Sequence, residues 1–190
     1  MEQKERNLLL AIARESIEES LERVPPSTYR EVDADPPDAL CGEEGAFVTL
    51  KRKGFSDGAP GGLRGCIGNI IGQRPLYALV HRLAKESAFH DPRFPAVKLG
   101  ELADLLIEIS ILTVPQEVSG PQEIVVGRDG VILSCGYHRA VFLPQVATEQ
   151  GWDRHTMLDH LAMKAGLDPS GWHQRSCTFS IFQAEVFGED

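Results

Sequence analysis

An arginine, a cysteine and spaced glycines alternate in the run Leu63-Arg64-Gly65-Cys66-Ile67-Gly68, and that spacing is the chain's clearest opportunity for chemistry. A β-strand alternates its side chains between two faces. Leu63, Gly65 and Ile67 then share one face, and Arg64 and Cys66 share the other, with Gly68 leaving it open beyond them. Side chains two residues apart start roughly 7 Å from each other, a gap that Arg64 can fold back over. A guanidinium near a thiol favours the thiolate, the form that acts as nucleophile or metal ligand. Cys66 therefore has two readings. In one it is an activated nucleophile between glycines. In the other it is a small buried hydrophobe, and Gly65 and Gly68 only shape the backbone.

Glu108 interrupts an otherwise apolar run, Leu105-Leu106-Ile107-Glu108-Ile109-Ser110-Ile111-Leu112. A carboxylate there must be paired, hydrogen-bonded or facing a wet cleft. It reads as a general base or substrate anchor beside Cys66, or as the partner of an arginine such as Arg64 or Arg139. His90-Asp91-Pro92-Arg93 forms a second polar cluster. Asp91 before a proline favours extended or turn geometry, so Asp91 and Arg93 either lock a turn or, with His90, border a site opened by Cys66. His138, beside Arg139, is the best candidate for the base that a catalytic cysteine would need. Metal ligation is not expected. His155 and His160 lie five apart on one predicted helix and point to different faces, and neither CxxC nor HExxH occurs. No cofactor is expected either, since GxGxxG and the Lys-Ser/Thr of a phosphate loop are both missing. The glycines between 58 and 68 could cradle an anion with Arg64, but the Lys-Ser/Thr that would identify a phosphate loop does not accompany them.

The hexapeptide also resembles the signature of the AMMECR family, known in microbes as AmmeMemoRadiSam system protein A. Supporting stretches are Gly45-Ala46-Phe47-Val48-Thr49-Leu50, Asp91-Pro92-Arg93-Phe94-Pro95, Ile107–Leu112, Phe142-Leu143-Pro144-Gln145-Val146 and Lys164-Ala165-Gly166-Leu167. The resemblance implies an α+β fold of two strand-rich repeats, with helices packed around a shared barrel-like sheet. It also implies association with a Memo-like protein and a radical-SAM enzyme. Taken with Cys66, Arg64 and Glu108, the chain reads either as a cysteine-dependent enzyme or enzyme component, or as a non-catalytic module that binds a base, peptide or small metabolite.

Composition sets the frame for these readings. The chain has 190 residues, 42% hydrophobic and 25% charged, which suits one globular domain with a substantial core. A net charge of −9 argues against sequence-blind nucleic-acid binding, which depends on neutralising phosphates. Much of the acidity lies in Glu15, Glu18, Glu19 and Glu22, read as a solvated helix face. The charged opening Met1–Arg6 lacks the form of a signal peptide, and no stretch is long and apolar enough to span a bilayer. A cytoplasmic setting is expected, with Cys41, Cys135 and Cys177 unpaired and mostly buried.

Leu10, Ala13, Ile17, Leu21 and Val24 recur at helical spacing and predict a helix over about residues 4–23. A proline-rich loop follows, then strands over 46–51 and 63–68, a helix over about 75–89 and a strand over 105–112. The second half replays this order. Gly127-Arg128-Asp129-Gly130 leads into the strand Val131–Cys135, then Val141–Leu143, then a helix over about 153–165. That helix has Asp153 as N-cap and Gly166 as its stop. A last strand spans Thr178–Phe187. The chain reads as a single domain of two packed lobes, about 1–100 and 101–190, with the strand at Ala46–Lys51 matching Val131–Cys135.

Overall fold

A computed structural model describes residues 1–22, 25–56 and 59–189. The helices are α1 (Gln3–Glu22), α2 (Ser27–Ala34), α3 (Leu76–Phe89), α4 (Pro144–Glu149) and α5 (Arg154–Lys164). The strands are β1 (Glu44–Arg52), β2 (Leu63–Ile71), β3 (Leu105–Leu112), β4 (Gln116–Val118), β5 (Gly130–Cys135), β6 (His138–Phe142), β7 (Cys177–Phe182) and β8 (Ala184–Gly188). The class is α+β. The strands form two separate four-stranded sheets, ordered β2-β1-β3-β8 and β4-β7-β5-β6, and not one shared barrel-like sheet.

The chain divides into a unit of Met1–Leu112 with Glu185–Asp190, and a unit of Thr113–Ala184. The division falls after residue 112 because β3 pairs antiparallel with β1 along its whole length. In the first unit, α1 and α3 pack on one face of the sheet. That face carries Ala46, Val48 and Leu50 of β1 and Ile107, Ile109 and Ile111 of β3, all buried. The α1 stripe is Leu9, Ile12, Ala13, Ser16 and Ile17, so Leu9 and Ile12 take the inward place expected of Leu10; Val24 lies outside the described residues. Two acidic side chains of α1 do more than face solvent. Glu15 accepts the Thr28 N–H at 2.8 Å in the first turn of α2, a helix hidden at sequence level by its flanking prolines. Glu19 pairs with Lys85 of α3.

In the second unit, Val131 and Leu133 of β5 pack with Met157, Leu158 and Leu161 of α5, and with Trp172 and Phe179. Asp153 caps α5 by accepting the Thr156 N–H at 2.8 Å, and Gly166 follows it with φ +81°. The last strand is broken in two. At the break, Thr113 and Gln183 exchange two hydrogen bonds of 2.9 Å each.

Both sheets share a topology. In β1-β2-α3-β3 the first strand lies between its hairpin partner and the strand that follows the helix, and in β5-β6-α5-β7 the same holds. The fourth strand of each sheet comes from the other stretch of sequence: β4 follows β3 but pairs with β7, and β8 follows β7 but lies beside β3.

The cysteine expectation fails at three positions. Cys135 and Cys177 form a disulfide, and Cys41 is exposed. The register of β5 with β7 sets Cys135 directly opposite Cys177, with 4.2 Å between Cα atoms. A separation of 42 residues hides that proximity until the strands are paired. No helix among the described residues is long and apolar enough to cross a membrane.

Candidate functional site

Strand register builds the site. Thr49 lies opposite Cys66 of β2 on one side and opposite Glu108 of β3 on the other. Residues directly opposite in antiparallel strands point to the same face. Cys66, Thr49 and Glu108 thus form a cross-strand row on the sheet face turned away from α1 and α3, each half-buried. The Thr49 hydroxyl donates to Cys66 Sγ at 3.3 Å. Glu108 is ion-paired with Lys51 at 2.6 Å, not with Arg64 or Arg139. Lys51 follows Thr49 by two positions and so shares its face.

Arg64 departs from simple alternation. Leu50 pairs with Gly65 and Lys51 with Leu63, leaving Arg64 as the extra residue of a β-bulge. Bulges re-aim side chains. The Arg64 guanidinium is 2% exposed and makes a two-pronged pair with Glu101, both contacts 3.1 Å. This arginine holds Glu101 below the usual carboxylate range. Its charge is therefore committed to a carboxylate, and Cys66 owes its immediate contacts to other residues.

Those contacts come from the loop after α3. Asp91, 4% exposed, accepts the Cys66 N–H at 2.8 Å. It also accepts from the Arg93 N–H and Nε, both at 3.0 Å, and from Arg93 Nη2 at 2.7 Å. Arg93 Nη2 in turn donates to the Cys66 carbonyl at 3.0 Å. Because β2 is an edge strand, the outward peptide groups of Cys66 would otherwise be an unpaired template. The turn-locking and site-bordering readings of Asp91 and Arg93 thus describe one clamp. His90 lies outside it, its side chain 67% exposed and 3.7 Å from Glu86.

The two glycines have separate duties. A Cβ on Gly65 would lie 2.2 Å from the Ser87 carbonyl oxygen, so Gly65 lets the end of α3 touch the strand. There the Ser87 hydroxyl accepts the Ile67 N–H at 2.8 Å and donates to the Val48 carbonyl at 2.7 Å, joining β2 to β1. A Cβ on Gly68 would lie 2.2 Å from the Phe47 ring. Phe47 covers the space that the alternation leaves open.

His138 and Arg139 belong to β6 in the second unit, both exposed. His138 Nδ1 lies 2.9 Å from the Ala165 carbonyl oxygen. Among the described residues, no group of three or more His, Cys, Asp or Glu side chains is placed to hold a metal. Sequence reasoning missed Thr49, Lys51, Ser87 and Glu101. Alternation puts Thr49 and Lys51 on one face, but only register names their neighbours.

The Asp91 clamp has a measurable consequence. The Arg93 side chain, followed by the backbone N–H groups of Cys66 and Arg93, holds the Asp91 carboxyl well below its ordinary range. A depressed carboxyl adds stability that is fully present above its unfolded value of about 3.9 and is lost as pH falls through the lower folded value. Asp91→Asn is expected to cost about 2 kcal/mol at neutral pH. Urea unfolding below pH 4 should show a shallower acid dependence in the variant than in the native chain. Equal acid slopes would contradict the clamp.

The family model for AMMECR1 matches residues 10–187. A protein of Methanothermobacter thermautotrophicus is 42% identical over 188 residues, covering 96% of this chain and 93% of the relative. One of Pyrococcus furiosus is 40% identical over 189 residues, covering 96% and 87%. The crystal structure of an uncharacterised protein from Pyrococcus horikoshii superposes with a TM-score of 0.80 at 38% identity, covering 96% of this chain and 90% of that one. Fold, length and sequence agree: the chain belongs to the AMMECR1 family.

Proposed function

We propose that this protein is a cysteine-dependent enzyme or enzyme component in which Cys66 is the nucleophile. The observation that carries the reading is the Thr49 hydroxyl donating to the sulfur of a half-buried, backbone-clamped cysteine. The hydroxyl contact and the clamp hold the sulfur's orientation without a flexible loop. Cys66 and Glu108 are two strands apart, about 10 Å between backbones, too far for direct proton transfer. A substrate lying across Thr49 could meet the thiolate at an electrophilic carbon and Glu108 at a second position. Lys51 holds that carboxylate in place through the ion pair. As a component, the chain would act in the cytoplasm with a Memo-like protein and a radical-SAM enzyme, a proposal supported by family resemblance.

The competing reading is a recognition module with Cys66 as a packing residue. The same clamp favours it, because sealing a strand edge serves the fold whatever the thiol does. Iodoacetamide labelling against pH separates the two. Cys41 is also exposed, so the measurement uses a Cys41→Ser background. The nucleophile reading expects Cys66 to label in the folded protein, and Thr49→Val to slow labelling severalfold at neutral pH. A Cys66 that resists until the protein unfolds would leave the module.

A further inference from the structure

The clamp on Cys66 uses only part of Arg93. Its Nε and Nη2 are fixed by the Asp91 carboxylate and the Cys66 carbonyl, and the Phe94 ring centre lies 5.5 Å from the guanidinium carbon. Nη1 has no oxygen acceptor among the described residues. The side chain is 54% exposed, although the carboxylate that holds it is 2% exposed. Sealing the edge of β2 needs Asp91 and Nη2 alone, so two outward N–H groups remain on a guanidinium that cannot swing away. The sulfur is close by. Carbonyl and sulfur belong to one residue, so Nη2, 3.0 Å from the Cys66 oxygen, lies within about 8 Å of Sγ by covalent reach. Asp91, and after it the Cys66 thiol, raise the Arg93 pKa above its ordinary value.

Asp91 weakens this cation without cancelling it. Both carboxylate oxygens already accept N–H groups, and the pair is a dipole with its positive end toward solvent. A single nitrogen with two free N–H groups suits a carboxylate through charge-assisted hydrogen bonds. A phosphate dianion would call for a second cation, and Arg64 and Lys51 are already paired with Glu101 and Glu108. We propose that Arg93 binds the carboxylate of a short acid and brings that acid's electrophilic carbon to the Cys66 sulfur, so that the substrate class of this site is a carboxylate-bearing electrophile. The inference rests on the nucleophile reading of Cys66 and adds the substrate's charge to it.

The test compares iodoacetate with iodoacetamide, reagents of similar size, on the full chain in the Cys41→Ser background. With either, the thiolate forms a C–S bond to the methylene carbon and iodide leaves with the electron pair of the C–I bond. The ratio of the two rates at Cys66 is divided by the same ratio for the neutral thiol N-acetylcysteinamide. That quotient cancels the thiolate population and reports recruitment of the anion. A chain of net charge −9 would by itself repel iodoacetate. The expected quotient is about three or more, falling below one in Arg93→Gln. Propanoate at constant ionic strength should slow iodoacetamide labelling of Cys66 and propanamide should not, a measurement that leaves the clamp unaltered. A quotient of one or less overturns the proposal and leaves the nucleophile reading standing. A raised quotient that survives Arg93→Gln, or equal slowing by propanoate and propanamide, does the same. A folded chain whose Cys66 resists iodoacetamide removes the nucleophile reading and this inference with it.

Discussion

Removing the Cys135–Cys177 disulfide should lower the stability of the second unit by about 4 kcal/mol, the largest single effect expected in this protein. The bond joins residues 42 apart and closes a loop containing β6, α4, α5 and most of the unit's core. Cross-linking so long a loop removes much of the freedom of the unfolded chain. It costs the folded state little, because antiparallel register already places the two residues opposite one another. Thermal unfolding with and without reductant measures the effect, and a drop on the order of 10 °C is expected on reduction. Cys135→Ala combined with Cys177→Ala should show the lowered midpoint and no further response to reductant. A native chain whose midpoint ignores complete reduction, verified by thiol titration, would contradict the expectation.

Gly65→Ala should cost about 3 kcal/mol or more, although it adds only one methyl group. The added carbon meets the Ser87 carbonyl oxygen at 2.2 Å, and a backbone atom in the last turn of α3 cannot rotate away. Relief requires moving α3 from the sheet. That would break the Ser87 bridge between Val48 and Ile67 and loosen Leu83, Ala84 and Ala88 from the core. Gly68→Ala is the internal comparison. Its added carbon meets the Phe47 ring, a half-buried side chain that can swing outward, and the Ala46 carbonyl oxygen at 2.6 Å against 2.2 Å for the carbonyl at Gly65, so a smaller loss, about 2 kcal/mol, is expected. Urea unfolding of the two variants gives the ranking. If Gly68→Ala proves the costlier, the close approach of α3 at Gly65 is not what the glycine serves.

The elements whose side chains alternate or recur with a clear period were legible in the sequence. The strand over 105–112 and the α3 helix ended within a residue of their expected limits, and Asp153 capped α5 as its type and position implied. Elements of weak periodicity were not legible. The helix α2 lies between proline pairs, and its stability draws on Glu15 of α1 as well as on its own residues. The three-residue strand β4 has no pattern long enough to read; it exists because β7 offers an edge to pair with.

The candidate site divides along the same line. Residue types and alternation in the sequence determined that Cys66 sits on a glycine-flanked strand, that Glu108 must be paired or wet, and that Asp91 and Arg93 act together. Pairing partners were decided by the tertiary structure. A ten-residue connection between β1 and β2 is too long to dictate hairpin register, and a one-residue slip exchanges the faces of a strand. Only the folded sheet could therefore set Thr49 against Cys66, put a bulge at Arg64 and give its charge to Glu101. The same cause joined Cys135 to Cys177. Spacing along a chain records local geometry, whereas contacts across strands depend on which edges meet, and that choice is made by the burial of the whole core.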